Sequence, residues 1–436
     1  MPDRRHFLRR LGAGALGVTA LGAGVPELGE PRPAWPPPAG TSADPYWQLV
    51  RRQYPLTFER TYLNCGGIGP ASYAALDAHR ETERSLQEVA STGHKEIGKA
   101  RQTVAAFFGI EPAELAFMRN ATEGNSMVAM GLRLSPGDEV IIETRAHPGG
   151  LVPWLARQRR DGIVVKAFTP SNQSIQENLD RIDALRTPRT KAVQVSHVTA
   201  PTGIKMPARE VAEWAHQYGI WAHVDGAQTA GMLPVALHEI DCDSYAACGH
   251  KWMGGPHGTG VLYVKQDRQD DLTSTEIGAY TGTFTIPGSA GGGEYVIDST
   301  AVRYEAGTRN AALIVGLAAA VDFLTSIGME RVGAHGRDLA RQLAAGLAEM
   351  PGVDVLTPRD EALAASITTF TLAGMDASPL FGRLLRDYKL RCRPVTEDGL
   401  QAVRVSTHTF NQQADVEAVL AAVRAIATET QARGGG

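Results

Sequence analysis

The order of its elements predicts an α/β chain: a largely parallel sheet covered by helices on both sides, followed by a smaller α+β unit. Three observations carry this. From about Tyr62 to Gly307, apolar runs of strand length alternate with helical stretches, the pattern of strands joined by helical crossovers. Past Ala311 the alternation gives way to long alanine-rich helices and then to shorter strands. At 436 residues the chain exceeds one average domain, so two are expected.

In chain order, residues 1–25 stand apart. Paired Arg4-Arg5 precede Phe7-Leu8 and a mild Gly/Ala/Leu run from Leu11 to Gly24. That resembles a twin-arginine export signal, which implies passage through the twin-arginine machinery and a periplasmic or otherwise extracytoplasmic location. The run is too short and glycine-rich to anchor a spanning helix. Residues 26–43, containing PELGEPRPAWPPP, read as an extended proline-rich linker. The large domain is expected over 44–310, with its N-terminal segment, and the small domain over 311–436.

Strands of the large domain are predicted at Leu115–Met118, Glu139–Glu143, Ile163–Phe168, Ala192–Val198, Ile220–Val224 and Val261–Val264. Between them, Ala208–Tyr218 places Val211, Trp214, Ala215 and Tyr218 on one helical face, and Gly219 can end it. The small domain should hold helices Ala311–Ile327 and Arg331–Met350, then strands Val353–Leu356, Ile367–Leu372, Leu390–Pro394 and Val403–Ser406. A last helix should run from Asp415.

Composition excludes several classes. Hydrophobic content of 43% and charge of 21% are those of an ordinary globular protein. A net charge of −4, with no polybasic run beyond the first ten residues, gives no nucleic-acid surface. The four cysteines (Cys65, Cys242, Cys248, Cys392) have neither CxxC spacing nor the density of a disulfide scaffold, and no metal site is expected.

Sites in such sheets lie beyond the carboxyl ends of the strands, and the chemistry-bearing residues collect there. Asp225 stands where the apolar run GIWAHV stops. Twenty-six residues on, Lys251 sits in GHKW between His250 and a glycine-rich turn. An acid that can pair with a pyridinium nitrogen and a lysine that can form a Schiff base are what pyridoxal phosphate chemistry needs. Arg119 to Gly124 (RNATEG) ends another strand and opens a helix, whose first backbone N–H groups and positive dipole end suit a phosphate. Taken alone, that opening is an ordinary helix cap. His147 follows the strand that ends at Glu143.

Together AHVDGAQ, CGHKW, RNATEGNS and YEAGTRN resemble the class V aminotransferases, of the fold-type I pyridoxal phosphate group, over roughly Tyr62 to the C-terminus. The resemblance implies a large domain with a mostly parallel seven-stranded sheet, a small α+β C-terminal domain and a homodimer with shared active sites. It makes Lys251 the Schiff-base lysine and proton shuttle, and Asp225 the acid that keeps the pyridine nitrogen protonated. Gln228 would donate to the ring hydroxyl, and His147 would stack on the ring. Thr122, the backbone at Ala121, and His250 would hold the phosphate, which Gly307 and Thr308 of a partner subunit would also reach. Arg404, in AVRVSTHTFN, is similar to the arginine that clamps a substrate carboxylate, with Arg393 a second candidate.

Departures from the pattern narrow the branch. Relatives that desulfurate cysteine carry a nucleophilic cysteine in a loop after Arg-Thr-Gly. The corresponding stretch here, RCRPVTEDGLQAVRVS, has Cys392 ahead of Arg393 and none after it. Cys248 stands where that subgroup offers a phosphate-binding serine, and a thiol is a poorer donor. Ala200 replaces an asparagine near the ring hydroxyl. These changes and HKW are closer to the isopenicillin N epimerase-like branch. With the export signal, they resemble the periplasmic enzymes that tailor the siderophore pyoverdine. Three outcomes stay open: aminotransferase-type chemistry on an amino acid or peptide-linked amine, epimerisation or C–S lysis on the same scaffold, and a non-catalytic binding protein.

Overall fold

A computed structural model describes residues 33–37, 43–286, 288 and 291–434. The segment expected as an export signal and most of the expected proline-rich linker lie outside them. Among the described residues there are fifteen strands, β1 to β15. The large sheet uses β2 (Leu115–Met118), β3 (Glu139–Glu143), β4 (Val164–Phe168), β5 (Thr190–Ser196), β6 (Trp221–Asp225), β7 (Ser244–Cys248) and β8 (Gly260–Val264). Their spatial order is β2-β8-β7-β6-β5-β3-β4. All neighbours run parallel except those of β8, which is antiparallel to both β2 and β7. This is the seven-stranded, mostly parallel sheet that the resemblance implies.

Strands buried on both faces read as continuous apolar runs, which is why these segments were visible in the sequence. Helices α2 (Tyr73–Val89), α3 (His94–Phe108), α7 (Ala208–Gln217) and α9 (Ala311–Ile327) belong to one side of the structure. There Val104, Phe108, Val211, Ala215, Leu317 and Val321 meet Phe117, Val193, Val195 and Val224. Helices α4 (Ala121–Gly131) and α5 (Pro148–Asp161) cover the other face, where Met127, Val128 and Trp154 pack on Ile142, Ala192, Trp221 and Ala246. Strand side chains alternate between faces. Trp221, His223 and Asp225 therefore share the α4/α5 face of β6.

The small unit has a four-stranded antiparallel sheet in the order β11-β12-β15-β14: β11 (Val353–Val355), β12 (Ile367–Leu372), β14 (Arg393–Val395) and β15 (Ala402–Ser406). Helices α10 (Met329–Ala348), α11 (Ala377–Tyr388) and α12 (Gln413–Gly434) cover it, with Leu343, Leu347, Leu380, Leu384, Val419 and Val423 in its core. The stretch expected as one strand over Leu390–Pro394 is two, β13 (Leu390–Arg391) and β14. β13 turns away to pair in parallel with β1 (Thr61–Tyr62). The N-terminal segment grouped above with the large unit thus reaches the small one, and Leu63 is buried in the small unit's core.

Four strands went unforeseen: β1, β7 and two that form a hairpin. β7 is built from SYAAC, whose small residues give no apolar alternation. The hairpin β9 (Gly282–Phe284) and β10 (Tyr295–Ile297) exposes Phe284, Tyr295 and Val296 to solvent. Among the described residues no single helix is long and apolar enough to cross a membrane.

Candidate active site

The acid comes first, because its surroundings are the most fully determined. Asp225 closes β6 and is 4% exposed. One oxygen, Oδ2, accepts from Asn125 Nδ2 at 2.8 Å, and the other accepts from the Ala227 N–H at 2.9 Å. Asn125 lies on α4, one turn past Thr122, so the helix that opens toward the site also reaches back to its acid. His223 Nε2 is 2.9 Å from Asn125 Oδ1. Burial pushes the His223 ring down to about 4, so it stays neutral at ordinary pH. Neither residue was singled out from the sequence; the signal that could have found them is spacing, Asn125 three past Thr122 on a helix and His223 two before Asp225 on a strand.

Lys251 follows β7 in the turn that leads to β8. Among the described residues its amine has no hydrogen-bond or ion-pair partner. Its backbone is held firmly: the Lys251 carbonyl accepts from Gly254 N at 3.1 Å and takes the Cys65 thiol at 3.8 Å. A Cβ on Gly69 would stand 1.8 Å from that carbonyl oxygen, so the chain passes here only as glycine. The Lys251 and Asp225 charges both act on the His147 ring and on the Cys248 thiol, in opposite directions.

His147 caps α5, its Nδ1 accepting from Gly149 N at 3.0 Å. Burial first, then Lys251, lowers its pKa, leaving a neutral ring with its proton on Nε2. Behind it the backbone is pressed close. A Cβ on Gly149 would fall 2.3 Å from Thr122 Oγ1, and one on Gly150 would fall 2.5 Å from Gln194 Nε2 and 3.3 Å from Asp225 Oδ2. These glycines let the first turn of α5 approach Thr122, Gln194 and Asp225 more closely than any side chain would allow.

At the start of α4, Asn120 caps Glu123 N (2.9 Å), and Cys248 Sγ accepts the Ala121 N–H at 3.4 Å. The expectation for Ala121 is therefore corrected in part: its N–H is taken by the thiol. Among the described residues no acceptor takes the Thr122 N–H, which with the Thr122 hydroxyl remains for an anion. His250 Nδ1 is 3.1 Å from the Thr259 carbonyl, so that nitrogen is the donor and only Nε2 is left. Nε2 can donate to a phosphate only in the protonated ring, and burial opposes that protonation.

Gln228 is fully used on one side. Its Nε2 donates to the Gly66 carbonyl (2.9 Å) and its Oε1 accepts from Trp252 Nε1 (2.9 Å), which leaves one N–H for a ring oxygen. Thr308 lines a surface cleft with Arg119, Glu123 and Glu276, beside Gly307 at φ +75°. The same cleft is lined by Gly258 and Thr259, of the turn that carries Lys251.

The expected carboxylate clamp is split. Arg404, 1% exposed, donates to the Ala200 carbonyl (2.8 Å) and to Asn64 Oδ1 (3.0 Å), while its buried Nε has no partner. Burial pushes it down to about 9, so it keeps its charge at neutral pH. Arg393 is its directly opposite neighbour on β14. Two like charges facing each other across strands destabilise a sheet unless anions answer them. Glu397 answers Arg393 in part, leaving the buried Arg393 Nη1 unpartnered. Arg145, which the sequence reading did not single out, follows β3 and meets Asp398 at 3.5 Å, an ion pair between the two units.

The residues present fit pyridoxal phosphate. A held carboxylate, a lysine amine without a partner among the described residues, a neutral histidine and an open helix N-terminus are the groups this cofactor needs. The Aminotransferase class-V family model matches residues 73–419. A probable cysteine desulfurase of Methanothermobacter thermautotrophicus is 30% identical over 313 residues, 70% of this chain and 76% of that protein. An isopenicillin N epimerase of Amycolatopsis lactamdurans is 28% identical over 87% of this chain and 98% of its own length. Other curated cysteine desulfurases are longer, and the chain spans between 51% and 59% of them. The solved complex of the cystine C-S lyase C-DES with its product cysteine persulfide superposes with a TM-score of 0.76 at 26% identity, covering 85% of this chain and 99% of that one.

Proposed function

The chain belongs to the class-V aminotransferase family, whose cofactor is pyridoxal 5'-phosphate, and on that premise we propose an enzyme of aminotransferase-type chemistry on the amine of an amino acid or peptide-linked substrate. The observation that carries the substrate class is the facing pair Arg404 and Arg393, each with a buried N–H left open. Two guanidinium groups in that state call for carboxylate on the substrate.

The bound cofactor supplies an electron sink for the charge left when a proton leaves the α-carbon. The chain supplies the rest. Asp225, held by Asn125 and the Ala227 N–H, keeps the ring nitrogen protonated. The Thr122 N–H and hydroxyl seat the phosphate. The Lys251 amine takes the α-proton and returns it elsewhere, a general acid–base role. Arg404 orients the substrate through its carboxylate.

Persulfide chemistry is disfavoured by the state of the thiols. All four cysteines are buried, and burial raises the pKa of each, Cys392 to about 12. A thiolate nucleophile needs the opposite surroundings. Epimerisation or C–S lysis is the second reading. It draws on the likeness to an isopenicillin N epimerase and a C-S lyase, and neither reaction requires a protein thiol.

The deciding experiment adds L- and D-amino acids, glutamyl peptides and cysteine conjugates singly to the purified holoenzyme while the cofactor's visible band is followed. Bleaching by one donor and recovery with a keto acid are expected. A band that persists while the donor's α-hydrogen exchanges with solvent, or while a fragment is released, moves the assignment to the second reading. Two further proposals accompany it. Arg4-Arg5 direct export, so replacing both with lysine should hold the protein in the cytoplasm; unchanged fractionation rejects that. A second copy brings Gly307 and Thr308 to the phosphate, and a monomer by light scattering rejects that.

A further inference from the structure

Along the α4/α5 face of the sheet, four hydrogen bonds run in line toward the acid. Trp221 Nε1 lies 2.9 Å from Ser244 Oγ, Ser244 Oγ 2.8 Å from His223 Nδ1, His223 Nε2 2.9 Å from Asn125 Oδ1, and Asn125 Nδ2 2.8 Å from Asp225 Oδ2. All five side chains are buried. They come from three elements: Trp221, His223 and Asp225 alternate along β6, Ser244 is the register partner of His223 on β7, and Asn125 descends from α4.

The ends of the line fix its direction. An indole N–H can only donate, and an ionised carboxylate can only accept. Asn125 must therefore turn its NH2 to Asp225 and its oxygen to His223. His223 must then carry its proton on Nε2, and a neutral ring leaves Nδ1 as an acceptor. The Ser244 hydroxyl gives its hydrogen to Nδ1 and takes the indole N–H on its lone pair. Each proton has one place, and each bond polarises the next in the same sense.

We propose that Trp221, Ser244, His223 and Asn125 form a one-way hydrogen-bond line that positions Asp225 for the cofactor nitrogen, with His223 as the link that joins its two ends. Asp225 sets which end of the Asn125 amide faces it; without the His223 donor the Asn125 oxygen is buried with no partner, and the amide that holds the carboxylate is fixed at one end only. His223 and Asn125 are positioning residues, acting through Asp225. The proposal rests on Asp225 facing the pyridine nitrogen, but the line itself exists without cofactor.

The test has two parts. In the apoprotein, nitrogen-15 NMR of the His223 ring should show a neutral imidazole with hydrogen on Nε2 across about pH 5.5 to 8. A ring protonated at Nδ1, or an imidazolium at neutral pH, overturns the proposal whatever the cofactor does. In the holoenzyme, His223→Leu keeps the volume and removes both ring nitrogens, whereas His223→Gln keeps a donor and an acceptor. His223→Leu should weaken cofactor binding about tenfold and lower kcat by a similar factor with KM for the amine unchanged, the loss of about one charge-linked hydrogen bond. It should also move the nitrogen-15 shift of the cofactor's pyridine nitrogen toward the unprotonated value. His223→Gln should restore most of each. If His223→Leu leaves that shift and the cofactor affinity as in the native protein, Asp225 needs no such line. Should His223→Leu fail to fold, Ser244→Ala shortens the line at its far end and is read the same way. Native protein that binds no cofactor at Lys251 sinks the functional proposal, while the apoprotein tautomer is judged separately.

Discussion

The floor and the mouth of the site are built on opposite plans. Beneath the slot, Asp225, Asn125, His223, Ser244 and Trp221 use their hydrogen-bonding groups on one another, and every bond lies between buried side chains on rigid elements. At the mouth, Arg404 and Arg393 hold buried N–H groups with no partner, and Arg145 is spanned to the other unit by one ion pair. The floor is finished before any ligand arrives. The mouth is completed only by something that brings carboxylate with it. Cofactor chemistry is thus preorganised in the large unit, and substrate choice is deferred to the facing arginines of β14 and β15.

That contrast can be broken at its strongest point. Lys251→Ala should cut turnover by at least about a thousandfold, the scale of a lost proton shuttle. Because the floor does not depend on the lysine, the variant should still bind pyridoxal phosphate without covalent attachment. Borohydride reduction followed by mass spectrometry should then find no modified peptide. Turnover that survives the substitution would remove Lys251 from the chemistry altogether.

At the mouth, Arg404→Lys should raise KM for a carboxylate-bearing donor by about ten- to a hundredfold, with kcat less affected, since a bidentate pair becomes a point charge. Arg393→Ala should act in the same direction and more weakly, because Glu397 already satisfies part of it. Equal effects of both changes on kcat alone would mean that these arginines do not bind substrate.

Beside the floor lies one open atom. Glu143, buried beside Ser196, accepts from the Ser196 N–H at 2.9 Å but leaves Oε2 unpartnered, and burial raises it from its ordinary range to about 7. The folded state therefore favours the protonated acid. That contribution is whole below the ordinary carboxylate range and is lost as pH rises through about 7. Glu143→Gln should gain stability over the native protein at pH 8 but not at pH 5, by one to two kcal/mol and no more than about 3 kcal/mol. Parallel urea unfolding curves at both pH values would show that the acid ionises freely. The smallest effect is expected at the latch. Arg145→Gln removes a half-exposed pair worth about 1 kcal/mol or less, so kcat/KM should fall only a few-fold. A loss beyond about a hundredfold would mean that Arg145 touches substrate.

How much of this could be read from the sequence follows the same division. Asp225 and Lys251 stood out because a strand end and a glycine-rich turn are local patterns. The seven strands were mostly visible because buried parallel strands are apolar throughout, and SYAAC escaped because small residues carry no such mark. His223 and Asn125 sat on the right faces by periodicity, yet their bond depends on how α4 crosses β6, which is tertiary information. Arg145 with Asp398 and Asn64 with Arg404 join segments hundreds of positions apart. No local rule reaches them. The split at Cys392 was hidden for the same reason, since the partner of β13 lies at Thr61–Tyr62.

The first described residues have a consequence for processing. Trp35 donates to Ser326 at 2.9 Å and its ring lies 5.0 Å from that of Phe323, while Trp47 stacks on His335 at 3.7 Å. These contacts tie the first described residues to the end of α9 and to α10. A leader peptidase acting after export would have to cut ahead of Trp35 to leave them intact. A recombinant form begun at Tyr62 would lose both indoles and expose the apolar surface they cover. The useful limits for shortening this protein are therefore set by two tryptophans, well before its first strand.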